Sequence, residues 1–251
     1  MPWASCLVTQ ELASAKTPKG EQTRALILKT ALDLFEERGY EGTTMRAIAE
    51  TAGVSLSHAY YYFHSKEELI QGFYQRVHEA HLAACQEILA HDGDLHARLL
   101  GVLNAKLDVS TPYHRFCGII FKNAADPQSP LSPFGPESNA WRQESTAIFT
   151  QVVTGSRTHV PADLQAELPN LLWLYHMGIV LYWLHDNSPN QVRSYRLAER
   201  TAALVAQLIP LASHPLMRPF RRAALQVLAE LRSDPDEPRE SPRPTNEGEI
   251  R

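Results

Sequence analysis

The chain has 251 residues, 44% apolar and 21% charged, which is ordinary for a soluble globular protein and leaves room for one large domain or a small module joined to a larger one. The formal net charge of -4 excludes attraction to nucleic acid by bulk charge, so such a partner would have to be met by locally placed cations. Three scattered cysteines, Cys6, Cys85 and Cys117, make no disulfide framework and fit a reducing compartment.

Helical periodicity dominates and strand-like alternation is scarce, so the chain reads as all-α. Residues 1–20 have no clear period and read as a flexible lead-in, without the basic start and apolar run of a secretory signal. A first helix is expected over residues 21–38, with Leu28, Ala31, Leu32 and Phe35 on one face and Gly39 as its stop. Thr44 caps a second, which carries Ile48, Ala49 and Ala52 and ends at Gly53. Ser55 caps a short third over residues 56–63. Ser65 opens a long fourth that runs to about Ala90, with Glu68 three places on as in a capping box. Asp94 then caps a helix to about Val109, and another covers residues 112–125.

Pro127, Pro130, Pro133 and Pro136 recur every third residue, which suits an extended, polyproline-like connector. Helices follow over residues 137–155, from Pro161, over residues 168–185 and 192–211, and over residues 216–231. The stretch 171–184 is almost wholly apolar but short for a bilayer and interrupted by His176, so it reads as a buried helix and the protein as cytoplasmic, without a membrane partner. The last residues, 233–251, are rich in proline and charge and read as a disordered tail. The expected organisation is a lead-in (1–20), a head of short helices (21–67), a larger helical body (68–232) and the tail (233–251).

Three short helices, the second and third joined by a tight turn, fit a helix-turn-helix. Ala52 and Gly53 supply the small residue and the permissive backbone that the turn requires, and Val54 plugs the space behind it. Ser55, Ser57 and His58 lie at the start of the third helix, where a reading helix meets the major groove. Thr44 and Arg46 open the second, Tyr60 and Tyr61 extend the polar aromatic surface, and Lys66 opens the fourth. Tyr62 and Phe63 are assigned to the core, because one face of so short a helix must pack. Charge balance gives no support by itself. Arg24, Lys29, Arg38, Arg46 and Lys66 stand against Asp33, Glu36, Glu37, Glu41, Glu50 and Glu67, but most of the acids fall in or just after the first helix, away from the reading helix.

The stretch from about Thr23 to Phe73 resembles bacterial transcriptional repressors of the TetR/AcrR type. The resemblance rests on Arg24, on Ala31 and Phe35 before Gly39, and on the pair Thr43 and Thr44. It continues through Ile48-Ala49, Ala52-Gly53-Val54-Ser55, Tyr60, Tyr62-Phe63, and Lys66, Glu67 and Leu69. It implies phosphate contacts at Thr44, Tyr60, Tyr61 and Lys66, and groove or base-edge contacts near Arg46, Ser55, Leu56, Ser57 and His58. Ser57 stands where the family often has glycine, and Tyr62 where it often has histidine, which leaves the operator sequence unread.

The resemblance further implies a homodimer that binds a double-stranded DNA operator, and a body that encloses a pocket for a small-molecule effector. Leu171, Leu174, Tyr175, Leu197, Thr201, Leu204, Val205 and Leu208 are the candidate dimer residues, forming a four-helix bundle across a two-fold axis. The alternative is that 171–184 is a central core helix. Candidate effector contacts are His81, Phe116, Phe121, Trp141, Phe149, Trp173 and His176. His78, His81 and Cys85 are spaced three and four apart as metal ligands are, with Cys117 able to join them, which would make a metal or redox sensor. No second metal motif supports that site, so no metal and no cofactor is expected. There is no nucleophile elbow, Gly-rich phosphate loop or carboxylate pair, hence no catalytic residue, and an enzyme is not expected. A helical protein-interaction module working through the proline segment and the tail is the remaining alternative. It leaves the pattern over residues 43–66 unexplained.

Overall fold

The computed structural model describes residues 17–91, 93–126 and 128–232. Expectations for residues 1–16, for the tail 233–251, for Cys6 and for Pro127 lie outside them. No strand occurs among the described residues, and the fold is all-α.

Thr17 caps α1 (Pro18–Arg38), its Oγ1 accepting from the Gly20 amide at 3.1 Å. The helix thus starts about one turn earlier than the expected residue 21, because a proline in the first position has the right φ and no amide to waste. Gly39, at φ +77°, ends it. Thr43 then turns inward and donates to the carbonyls of Leu34 and Gly39, fastening the loop to α1, while its neighbour Thr44 faces out and caps α2 (Met45–Thr51).

Ser55 caps α3 (Leu56–Tyr62) and Ser65 caps α4 (Lys66–Ala90), each through its side-chain oxygen. Glu68 does not close the expected box onto Ser65. Its carboxylate accepts from the amide of His64, one residue further back. Ile27, Leu28 and Phe35 of α1, Ile48 of α2, Ala59 of α3, and Leu69 and Phe73 of α4 close one core with Phe63. At about 1.5–3 kcal/mol for each large apolar side chain removed from water, this packing is what holds the two short helices α2 and α3, which would not persist alone.

The body continues with α5 (Leu95–Ser110), antiparallel neighbour of α4, and after one 3-10 turn with α6 (His114–Ala124). Then come α7 (Asn139–Thr154), the single turn α8 (Ala162–Gln165), α9 (Leu168–Leu184), α10 (Val192–Ala212) and α11 (Arg218–Arg232). Leu99, Val102, Phe149, Val152, Leu172, Trp183, Ala198 and Ala202 form a second core where α5, α7, α9 and α10 meet. Phe116 and Ile120 of α6 belong to the first core instead, so α6 bridges head and body.

The proline segment differs from the extended connector expected. Asp126, Ser129 and Ser132 each accept from the amide three residues on, giving consecutive tight turns. Pro130 and Pro133 sit second in their turns, where a φ near -65° is wanted. The side chains of Ser129 and Ser132 take the next free amides, of Leu131 and Phe134. A polyproline helix offers its backbone no such internal bonds.

Candidate nucleic-acid interface and body cavity

Gly53 adopts φ +68°, its amide donates to Glu50 and that of Val54 to Ala49, the paired bonds of a Schellman C-cap. Val54, half-buried, packs on the head core just past this turn. The turn fixes how α3 leaves α2. Ala59 and Phe63 face inward with almost no exposure, so Ser55, Ser57, His58, Tyr60 and Tyr61 all face outward and Leu56 is half-buried. Ser55 Oγ accepts from the His58 amide and lies 3.1 Å from Ser57 Oγ. Thr44 and Arg46 are exposed on the start of α2 beside this face.

The tyrosine run splits by direction. Tyr60 and Tyr61 are 43% and 44% exposed, far above the value of a core ring. Tyr62, expected in the core, is only half-buried: Tyr61 meets it edge-on at 5.1 Å and His58 lies 5.3 Å away, because the last residue of a two-turn helix is covered from one side alone. Phe63 is core as expected, with the Arg24 guanidinium 4.8 Å above its ring.

Lys66 is held more tightly than a free phosphate ligand would be. Its ammonium donates to the Tyr40 carbonyl at 2.8 Å and sits 4.2 Å over the Tyr40 ring. Tyr40 in turn donates its hydroxyl to Glu67 at 2.5 Å, which holds the Glu67 carboxyl below its ordinary value. One ammonium has three donors, so a phosphate contact remains open to Lys66 beside this clamp.

A cavity of about 650 Å³ lies in the body between α4, α5, α6, α7, α9 and the chain of tight turns. Leu131, Ser132, Pro133 and Phe134 form one wall. Arg142 pins that wall by donating to the carbonyls of Pro133 and Gly135, and Phe134 meets Trp173 edge-on at 5.5 Å. Aromatic and aliphatic side chains dominate the lining, with a few polar groups among them, as in small-molecule sites.

The model of the tetracycline-repressor-like C-terminal domain matches residues 98–224, more than half of the chain, and that of the bacterial regulatory proteins of the TetR family matches residues 27–72. The chain belongs to the TetR family. Members are DNA-binding transcriptional regulators, and the curated relatives are named HTH-type transcriptional regulators. The regulator TtgR of Pseudomonas putida is 40% identical over 63 residues, 25% of this chain and 30% of that one. RutR of Escherichia coli is 35% identical over 100 residues, 38% and 47% respectively. The aligned part thus spans about a third to a half of these relatives. A TetR regulator from Nitrosomonas europaea superposes with TM-score 0.56 at 19% identity, over 73% of this chain and 98% of that one. A TetR-family structure from Syntrophomonas wolfei gives 0.59 at 16%, over 74% and 95%, so the fold is shared where the sequence has drifted.

Of the seven expected effector contacts on this TetR-family body, Phe121, Trp141, Trp173 and His176 line the cavity. The other three lie elsewhere. Phe116 is turned to α1, 5.9 Å from the Phe35 ring, and Phe149 is fully buried in the body core. His81 sits behind the wall, stacked on His176 at 5.8 Å and bonded to the Val102 carbonyl. Burial pushes its pKa down to about 3 and keeps it neutral.

The metal spacing does not become a metal site. His78 spends Nε2 on Glu144 at 2.7 Å, His81 is engaged as above, and Cys85 lies in the core with its thiol pushed up to about 12 by burial. No group of three such side chains among the described residues could hold a metal ion. Tyr74, Lys106, Ser110 and Ser145 also line the cavity, although sequence reasoning does not single them out. Lys106 carries a signal: it is a lysine among the apolar positions of α5.

The expected interface residues fall into two sets. Leu174, Leu204 and Leu208 are about half-exposed, joined by Leu181, Tyr182 and Leu211. Leu171, Tyr175, Leu197, Thr201 and Val205 are half-buried within the chain, Tyr175 and Thr201 through a mutual hydrogen bond. The helix α9 is therefore a core helix that also carries an exposed stripe. No described helix is long and apolar enough to cross a membrane.

Proposed function

We propose that the chain acts as a homodimeric repressor, reads a two-half-site operator through α3, and leaves it when a small molecule fills the body cavity. The observation that carries the reading is the geometry of α3: Ala59 and Phe63 anchor one side, so the N-terminal serines and His58 face the major groove while Tyr60 and Tyr61 reach toward the phosphates. Thr44, Arg46 and Lys66 flank this face and hold the duplex backbone. The exposed leucines of α9 and α10 pair across a two-fold axis, which sets the two reading helices about one duplex turn apart.

Release follows from the walls of the cavity. Phe73 of α4 lines it and belongs to the head core, while α6 contributes Cys117, Ile120 and Phe121 to it and Phe116 to that core. Arg115 of α6 also donates to the Glu36 carbonyl of α1 at 3.3 Å. A ligand that fits the cavity better in one head spacing shifts the population toward that spacing by its differential affinity.

Capture of genomic DNA fragments on the purified chain, followed by footprinting, tests the reading. Two protected half-sites one turn apart are expected. Binding without sequence preference, or a single unpaired site, would count against it.

A further inference from the structure

Lys106 stands out in the cavity wall. It leaves α5 between the buried residues Ala105 and Leu107, and its ammonium makes no hydrogen bond or ion pair with any described residue. Burial pulls its pKa down. The groups opposing that pull are the thiols of Cys117 and Cys85, both pushed up to about 12 and so uncharged near neutral pH. Lys106 is half-buried, and a partly desolvated amine that faces a cavity without a counter-charge is costly, where methionine or leucine would pack as well.

Two further side chains of the same wall are buried with unpartnered nitrogens. His176 is 4% exposed with neither ring nitrogen partnered, and Trp183 is 1% exposed with its indole N–H unpartnered. Both line the cavity. No Asp or Glu is among the described residues that line it. The remaining basic groups are already committed, His78 to Glu144 and Arg142 to the turn carbonyls. The cavity therefore offers one basic side chain without a counter-charge, Lys106, within an apolar, aromatic wall.

We propose that the cavity takes an apolar carboxylic acid, bound as its anion, with the carboxylate on Lys106 and the body of the molecule along Phe121, Trp173 and Trp183. This rests on the cavity being the effector site proposed above. Lys106 supplies the charge and up to three N–H donors to the carboxylate. The volume suits a ligand of drug-like size.

The test uses the whole chain and three probes of equal length, dodecanoate, dodecanol and dodecylamine, followed by calorimetry and by quenching of tryptophan fluorescence. Dodecanoate is expected to bind about ten- to a hundredfold tighter than dodecanol, the usual worth of a charged hydrogen bond, and dodecylamine most weakly. In Lys106→Met the preference for the acid is expected to vanish while dodecanol binding holds and the unliganded melting temperature rises. Dodecanol or dodecylamine binding as tightly as dodecanoate, or a retained preference in Lys106→Met, overturns the proposal. The probe ranking on the unmodified chain decides even if the variant does not fold. A parallel DNA-release assay separates the two readings. Dodecanoate bound through Lys106 without release supports this proposal and defeats the effector role. Release by the alcohol or amine alone does the reverse.

Discussion

Replacing Leu204 and Leu208 together by glutamate should turn a dimer into monomers. In the single chain these side chains are 53% and 49% exposed. About half of the 1.5–3 kcal/mol for burying a leucine is then still to be gained, or ~1 kcal/mol each. A two-fold axis presents each position twice, so four side chains and about 4 kcal/mol are at stake. At 1.4 kcal/mol per tenfold, the hydrophobic part alone weakens association about a thousandfold, and burying carboxylates adds to it. Sedimentation velocity at micromolar chain reads the result, with circular dichroism to show that helicity is kept. Leu26→Glu is the control: Leu26 is equally exposed, at 47%, but lies on α1, away from this face. A double variant that still sediments as a dimer would refute the assignment of the face. So would a control that dissociates.

Other perturbations probe the head. Lys66→Ala should lower DNA affinity and flatten the slope of log affinity against log salt by about 0.9, while Tyr60→Phe should weaken binding and leave the slope alone. If Lys66→Ala reduces only stability, the clamp on Tyr40 is its whole role. Gly53→Ala should cost about 1 kcal/mol in urea unfolding from the left-handed φ alone, since no atom lies within 4 Å of the new Cβ. An unchanged midpoint would contradict that origin. Because Glu67 is held below its ordinary value of 4.5 chiefly by the Tyr40 hydroxyl, the bond stabilises the fold above that pH and is lost as pH falls through the lowered value. The stability gap between the natural chain and Tyr40→Phe should therefore be full at neutral pH and close in acid. A gap that persists at low pH would exclude the linkage.

The parts legible in the sequence are those decided locally. Thr44, Ser55, Ser65 and Asp94 each cap the helix expected of them, because an N-cap depends on a side chain and an amide two or three residues away. The turn at Gly53 is legible for the same reason. The proline segment is half legible. Its period of three is plain, but serine side chains bonding the backbone choose tight turns over an extended chain. What depends on the direction of a side chain in three dimensions is not legible. Phe121 reaches the cavity and Phe116, on the same helix, reaches the head, a difference of facing that residue type does not encode. Lys106 escapes notice because a lysine on a helix is ordinarily solvated, and only the cavity it shares with α6, α7 and α9 leaves it half-buried.

The head is built to move as one piece. Lys66 and Glu67, at the start of α4, are bonded to Tyr40, just past the end of α1. Arg24 of α1 lies over Phe63 at the end of α3, and Thr43 is fastened to the last turns of α1. Start and end of the reading unit are thus tied to one helix, and bending α3 against α2 would break several of these contacts together. The joints to the body are fewer: the shaft of α4, and the contact of α6 through Phe116 and Arg115. A ligand in the cavity touches both joints through Phe73 and Phe121. Under the proposed function, the least costly response is a rotation of intact heads, which changes the distance between two reading helices and leaves each reading surface as it was. Such a chain loses its operator because the half-sites fall out of register, so an isolated half-site should bind equally well with and without effector. Effector-sensitive binding to a single half-site would place the switch inside the head and contradict this account.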